Sequence, residues 1–214
     1  MDLVLDNLGT LLRGLWLTVQ LSLLGFGGAF VVGLVLAACR VGPVGPLRRA
    51  ATVFTEAMRN IPLVVLLFLV YFGLPKVELL FSPFQSALIG MSLYSGAYMA
   101  ETIRSGINSV AAGQAEAARS IGLTFFQVLG IVVLPQALRT VVQPIGNLFS
   151  AHVKNTAIAA TIGTFELTYV ANQIGEAQAE AITLLVAAGI GYVILLLPSG
   201  WVFSVLERRL AIRR

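Results

Sequence analysis

GQAEAARSIG, residues 113–122, is a short polar stretch between long apolar segments. Ala, Gln, Glu and Arg are strong helix formers, so we expect residues 113–120 to be helical. Gly122 can adopt the left-handed conformation that ends a helix. Thr124 and Gln127 have the capping-box spacing that begins the next helix. The sequence therefore predicts a rigid helix–turn–helix, which a loop that merely joins two membrane spans does not require.

The composition of the whole chain is that of a membrane protein. Of its 214 residues, 57% are hydrophobic and only 11% are charged, whereas soluble domains carry about a quarter charged residues. The apolar runs are too long for a globular core, so we expect one all-α transmembrane domain over residues 1–214, embedded in the lipid bilayer. The net charge of +4 is interpreted as a topology signal and not as a sign of nucleic-acid binding.

The same composition argues against an enzyme. Cys39 and His152 are the single cysteine and histidine, so an internal disulfide, a cysteine metal cluster and a pair of histidines are excluded. Lys76 and Lys154 are the only lysines and neither follows a glycine, so a Walker A phosphate loop is absent. We expect no catalytic residues, no metal and no cofactor, and any ATP hydrolysis falls to another polypeptide.

Five segments are long and apolar enough to cross a bilayer, which needs about 20 residues. Arginines cluster after alternate segments, and the positive-inside rule places those clusters in the cytoplasm. The N-terminus is then outside and the C-terminus inside, with residues 113–122 on the cytoplasmic side. The predicted spans are residues 15–38, 53–74, 84–103, 137–161 and 182–206.

The fourth segment is unusually polar for a membrane span. Polar side chains there are expected to face a bundle interior or an aqueous path, although hydrogen bonding between helices would also explain them. Asn147, His152 and either Asn155 or Thr156 are spaced so that they could share a helix face. The candidates for a translocation path in this segment are Asn147, Lys154, Asn155 and Thr156.

Two charged residues near the predicted cytoplasmic ends of spans are weaker candidates. Glu101 is equally compatible with an interfacial role and a pathway role, and Arg104, one turn further on, could neutralise it. Arg59 precedes the apolar part of the second span. Its position is explained either by a role in the translocation path or by the positive-inside bias alone.

Several ordered blocks of this chain resemble a known family. Glu116-Ala117-Ala118, followed by Gly122, Val132 and Leu134-Pro135, resembles the EAA signature of the membrane subunits of binding-protein-dependent ABC importers. The resemblance runs over roughly residues 10 to 205. The further blocks resemble the polar amino acid branch of the histidine, glutamine and arginine type, and they are residues 14–18, 59–63, 96–101 with Arg104, and 154–156.

The resemblance implies a type I importer membrane domain with five transmembrane helices and a cytoplasmic coupling helix at about residues 113–122. It implies partners: two ABC ATPase subunits, a second permease subunit (identical or paralogous), an extracytoplasmic substrate-binding protein and an amino acid moved by alternating access. The implied location is the prokaryotic plasma (inner) membrane. The residues that would couple transport to ATP hydrolysis are Gly113, Glu116, Ala117, Ala118, Gly122, Leu134 and Pro135.

Other functions stay open on the residues alone. An importer permease for another small polar solute would carry the same signature. A passive pore, a structural membrane protein or an integral membrane enzyme belongs to a different class, and none of these requires the EAA signature.

Overall fold

The computed structural model describes residues 2–210, and within that range the chain is helical without a β-strand. The α-helices are α1 Asp2–Asp6, α2 Leu8–Val41, α3 Gly45–Asn60, α4 Leu63–Phe68, α5 Pro83–Asn108, α6 Ala112–Ser120, α7 Phe125–Gln127, α8 Leu134–Asn155, α9 Leu167–Ala177 and α10 Ala181–Leu210. Four segments with tighter or wider turns continue three of these helices, α4, α7 and α8. Leu69–Gly73 and Val128–Val133 are π-helical, and Leu74–Val77 and Thr156–Ile162 are 3₁₀-helical. The all-α fold expected from the sequence is confirmed.

Among the described residues, three stretches are long and apolar enough to cross a membrane by themselves: Leu8–Val41 with 34 residues, Phe125–Ile162 with 38 and Ala181–Arg209 with 29. The predicted fourth span, residues 137–161, lies inside the second of these stretches. The helix α5 has 26 residues but is less apolar, and it buries small and polar side chains such as Ser86, Ser95 and Gly96. A helix enclosed by other helices has little need for a lipid-compatible surface. The count of five spans therefore stays a prediction.

The second predicted span is bent and is not one straight helix. α3 and the run Leu63–Val77 meet at an angle of 107°. Pro62 has no backbone N–H to donate, and its ring excludes the residue before it from the helical region. Ile61 accordingly has φ −81° and ψ 136°. We expected residues 53–74 to form one span, but Pro62 separates the apolar part of that span from α3.

Close packing of α2 against α5 forms the centre of the bundle. A Cβ added to Gly33 would lie 2.4 Å from Met99 Cγ, and one added to Gly96 would lie 2.6 Å from Val32 Cγ1. Glycines at these positions let the two backbones approach more closely than side chains would allow. The two helices thus act as a common scaffold for the elements around them.

The outer surface of the bundle is apolar over long stretches. On α10, Ile182, Leu197 and Trp201 are 80%, 69% and 70% exposed. Contiguous apolar exposure of this kind is rare on soluble monomers and is what contact with hydrocarbon chains requires.

Candidate functional site

The helix–turn–helix predicted around Gly122 is present in the structure. Gly122 has φ 90°, and it follows the last residues of α6. The Leu123 N–H donates to the Ala118 carbonyl over 3.2 Å, and the Gly122 N–H donates to the Arg119 carbonyl over 2.9 Å. This is the Schellman pattern that ends a helix at a left-handed residue.

A capping box begins the next helix directly after this turn. The Gln127 N–H donates to Thr124 Oγ1 over 3.4 Å, and the Thr124 N–H donates to Gln127 Oε1 over 2.9 Å. The segment 112–124, hereafter the EAA segment, is therefore held at both sides of its turn by local hydrogen bonds.

The EAA segment has one buried face and one exposed face. Ala118 is 6% exposed and packs with Val128 and Val133, whereas Glu116 and Ala117 are exposed. The ion pair that the spacing of Glu116 and Arg119 allows is not among those formed by the described residues.

Other members of the predicted coupling set flank these residues. Gly113 is exposed, and a Cβ added to it would meet no atom within 4 Å. Leu134 is half-buried and Pro135 is exposed, in the first turn of α8. Two large apolar side chains that we did not predict, Ile121 and Phe126, are 79% and 77% exposed beside the turn. Exposed apolar groups beside a charged helix face are typical of a docking surface.

Glu101 lies at the centre of an ion-pair cluster that joins three helices. Its carboxylate accepts a hydrogen bond from Arg40 Nη1 over 2.7 Å and a second one from Arg104, and it lies 3.6 Å from Arg59 Nη1. Arg40 ends α2, Arg59 ends α3 and the other two residues lie on α5. The cluster, Arg40, Arg59, Glu101 and Arg104, carries three positive charges and one negative charge.

This cluster brings together two predicted site residues, Arg59 and Glu101, and confirms that Arg104 neutralises Glu101. Tyr98 secures Arg59 further, because its hydroxyl donates to the Arg59 carbonyl over 3.1 Å and its ring lies 5.4 Å from the guanidinium carbon. A cavity of about 390 Å³ opens beside the cluster, lined by residues of α5 and by Thr140 and Pro144 of α8.

The polar residues of α8 are divided between two faces. Asn147 and Lys154, seven residues apart, are exposed, and Asn155 is half-buried. His152 and Thr156 are fully buried. We expected Asn147 to share a face with His152 and either Asn155 or Thr156. This is wrong for His152 and Thr156, because they lie about 140° and about 180° around the helix from Asn147.

The buried pair has structural contacts. His152 Nδ1 lies 2.7 Å from Ser95 Oγ on α5, and a Cβ on Gly25 would come within 2.8 Å of its Nε2. The Thr156 hydroxyl donates to the Val153 carbonyl over 2.7 Å and lies 3.4 Å from the Tyr192 hydroxyl. Both side chains therefore hold α8 against its neighbours.

A buried carboxylate that the sequence analysis missed completes this network. Glu166 is fully buried and caps α9 by accepting from the N–H groups of Thr168 and Tyr169 over 2.9 and 2.7 Å. The Tyr192 hydroxyl donates to it over 2.6 Å. An acid just before a helix is a signal for a cap, but nothing local in the sequence indicates its burial.

Comparison with known proteins agrees with these features. Residues 29–212 match the family of binding-protein-dependent transport system inner membrane components, and the chain belongs to that family. It is 34% identical over 209 residues to a probable glutamine ABC transporter permease protein of Bacillus subtilis, covering 98% of this chain and 97% of that protein. It is 36% identical over 211 residues to an L-cystine transport system permease protein of the same organism, covering 98% and 90%.

A solved structure has the same fold. The crystal structure of an amino acid ABC transporter with histidines superimposes with a TM-score of 0.91 at 30% identity, covering 96% of each chain. Membership of the family makes this chain a permease subunit of an ABC importer, a multi-pass protein of the bacterial inner membrane and not an enzyme. It also implies an ATPase and a binding protein as partners.

Proposed function

We propose that this permease subunit imports a polar amino acid. The observation that carries the proposal is the match over nearly the whole chain to permeases named for glutamine and for cystine. The amino acids in those names share a zwitterionic backbone and differ in their side chains. A path that recognises the shared ammonium and carboxylate groups fits this range.

The exposed polar face of α8 supports a path at that helix. Asn147 and Lys154 lie on a face that no other described element of this chain covers, within the predicted fourth span. A charge exposed to hydrocarbon is costly, so this face requires water or another protein. We infer that Lys154, with Asn147 and Asn155, lines the path and meets the substrate carboxylate, and that Thr156 only positions the helix.

Glu101 and Arg59 have a supporting role in this proposal. The ion pairs of Glu101 with Arg40, Arg59 and Arg104 join the ends of three helices at the predicted cytoplasmic side. They border the 390 Å³ cavity and would shape the exit from the path without binding substrate in its centre.

Coupling to ATP hydrolysis is assigned to the EAA segment. The exposed face of the segment is formed by Gly113, Glu116 and Ala117. Ala118 packs the segment against the bundle, and Gly122 forms its turn. Leu134 and Pro135 begin α8, the helix that the segment would move. We infer that two ATPase subunits each receive one such segment, from this chain and from a second permease subunit, identical or paralogous. The N-terminus would be outside, where the binding protein delivers substrate, and the C-terminus inside.

Uptake by cells tests the substrate assignment. Cells lacking their own amino acid importers receive this permease with its ATPase and its binding protein, and uptake of labelled glutamine is challenged with unlabelled competitors. We expect competition by polar amino acids and none by sugars or by amino acid analogues without a carboxylate. Competition by solutes without a carboxylate would favour another small polar substrate.

A further inference from the structure

A second cavity, separate from the one beside Tyr98, lies between the end of α2, the end of α5 and the EAA segment. It has a volume of about 340 Å³. Three arginines line it, one from each of those elements: Arg40, Arg104 and Arg119. The rest of its wall is mainly apolar, with side chains such as Phe125, Leu129 and Val133. A basic rim on an apolar cavity fits an amphipathic anion.

Arg40 lines this cavity and has one buried hydrogen-bond donor without a partner. Its side chain is only 9% exposed, and its Nη1 is bound to Glu101, but its buried Nε has no hydrogen-bond partner among the described residues. An unsatisfied buried donor on a charged group costs free energy. Negative charge in the cavity would offset part of this cost by its attraction to the guanidinium group.

The charges around the cavity are not balanced, and their excess is positive, which favours binding of an anion. Glu101 provides one negative charge, and it is shared by Arg40 and Arg104. Arg119 is exposed and forms no ion pair within the part of the chain that the structure describes. The three arginines therefore retain an excess of two positive charges.

An apolar stripe on α2 leads to this cavity. Phe30, Leu34, Ala38 and the lining residue Val41 are spaced by four, four and three residues, which places them on one helix face. Phe30 and Leu34 are 42% and 45% exposed, and Ala38 is exposed as well. The stripe is long enough for a chain of hydrocarbon to lie along it from the bilayer to the arginines.

We propose that this cavity binds the phosphate group of an anionic phospholipid of the cytoplasmic leaflet, with an acyl chain along the stripe of α2. The cytoplasmic leaflet is where anionic lipids and basic pockets meet. The assignment to the cytoplasmic leaflet rests on the proposed orientation of the permease. Lipid binding itself does not depend on which amino acid the permease imports. Because the EAA segment forms one wall, the lipid would hold the segment that faces the ATPase.

Native mass spectrometry of the purified permease–ATPase complex tests this site. Phosphatidylglycerol and phosphatidylcholine with identical acyl chains are titrated separately, and retention of each lipid is measured. We expect preferential retention of phosphatidylglycerol. R119Q should weaken that retention about fivefold, the contribution of one arginine near an anionic surface, and R119K should restore it.

R48Q is the matched control, because Arg48 is an exposed arginine of α3 that does not line the cavity. Equal losses in R119Q and R48Q would show a general charge effect and overturn the site. Equal retention of the two lipids would do the same. Displacement by soluble glycerol phosphate at concentrations similar to those of the lipid would mean that phosphate alone suffices. The same titration is made on the permease without its ATPase. A preference for phosphatidylglycerol in that sample alone would overturn the lipid site and assign the cavity to an acidic part of the ATPase.

Discussion

Gly113 and Gly122 lie near the two ends of α6, but only one of them requires glycine. Gly122 has φ 90°, a conformation that strains residues with a Cβ. Gly113 has an ordinary helical conformation with open space around it. The predicted coupling set includes both glycines without distinguishing them, whereas the backbone angle separates a conformational requirement at Gly122 from a surface position at Gly113.

At Gly122, valine should disturb the turn and reduce uptake. The strain of a non-glycine residue in this region is about 1–3 kcal/mol, so we expect the EAA segment to lose its fixed geometry while the subunit still inserts. Uptake and ATPase rate are measured on the assembled transporter. Gly113→Ala is the control and should retain both activities, since alanine favours a helix over glycine.

Normal uptake by Gly122→Val would contradict this account of the turn. A loss of uptake as large in Gly113→Ala would show that the segment is sensitive to any change of surface and not to backbone conformation.

The second residue-level prediction concerns Lys154. Lys154→Met keeps the length and apolar stem of the side chain but removes its charge, so we expect lower uptake with normal abundance in the membrane. Immunoblotting and uptake of labelled substrate separate the two effects. Lys76→Met, at an exposed position outside the predicted spans, should leave uptake unchanged.

Two other outcomes would change the assignment of Lys154. Loss of the protein from the membrane would make the lysine a structural contact. Full transport by the variant would place it outside the path.

Among the elements, local and distant contacts differ in how well the sequence predicts them. The Gly122 turn and the Thr124 capping box depend on residues no more than five apart, and both were predicted correctly. The break at Pro62 was missed, although its cause is local, because residues 53–74 were interpreted as one span. The pairing of Arg40 with Glu101 spans 61 residues, and the burial of His152 and Glu166 depends on α2, α5 and α10. No spacing within one element contains that information.

The ends of α2, α3 and α5 should separate more easily when Glu101 is changed to glutamine. The change leaves three guanidinium groups without their shared carboxylate, and hydrogen bonds to charged groups contribute about 1.5–3 kcal/mol. Glu101 is 24% exposed, so the lower part of that range is expected. Thermal inactivation in detergent is the measurement, with Glu56→Gln, at an exposed position on α3, as the control.

Equal inactivation temperatures for Glu101→Gln and Glu56→Gln would contradict a stabilising role for the cluster. A large drop in uptake at unchanged stability would instead place Glu101 in the path.

For the whole molecule, composition predicted the membrane class and the arginine distribution predicted an orientation. Labelling of single cysteines tests that orientation. In a Cys39→Ser background, Glu116→Cys should react with an impermeant thiol reagent only after the cytoplasmic side is opened. Glu176→Cys, exposed on α9, should react in intact cells. The reverse pattern would overturn both the topology and the proposed role of the EAA segment.

Accumulation of substrate in proteoliposomes tests the central claim most directly. The permease and its ATPase are reconstituted with ATP inside, and the binding protein and a labelled polar amino acid are added outside. The account predicts that the amino acid accumulates above its outside concentration, that accumulation needs both ATP and the binding protein, and that Gly122→Val reduces it. Flux that merely equilibrates the amino acid, with or without ATP, would contradict it and show a passive pore.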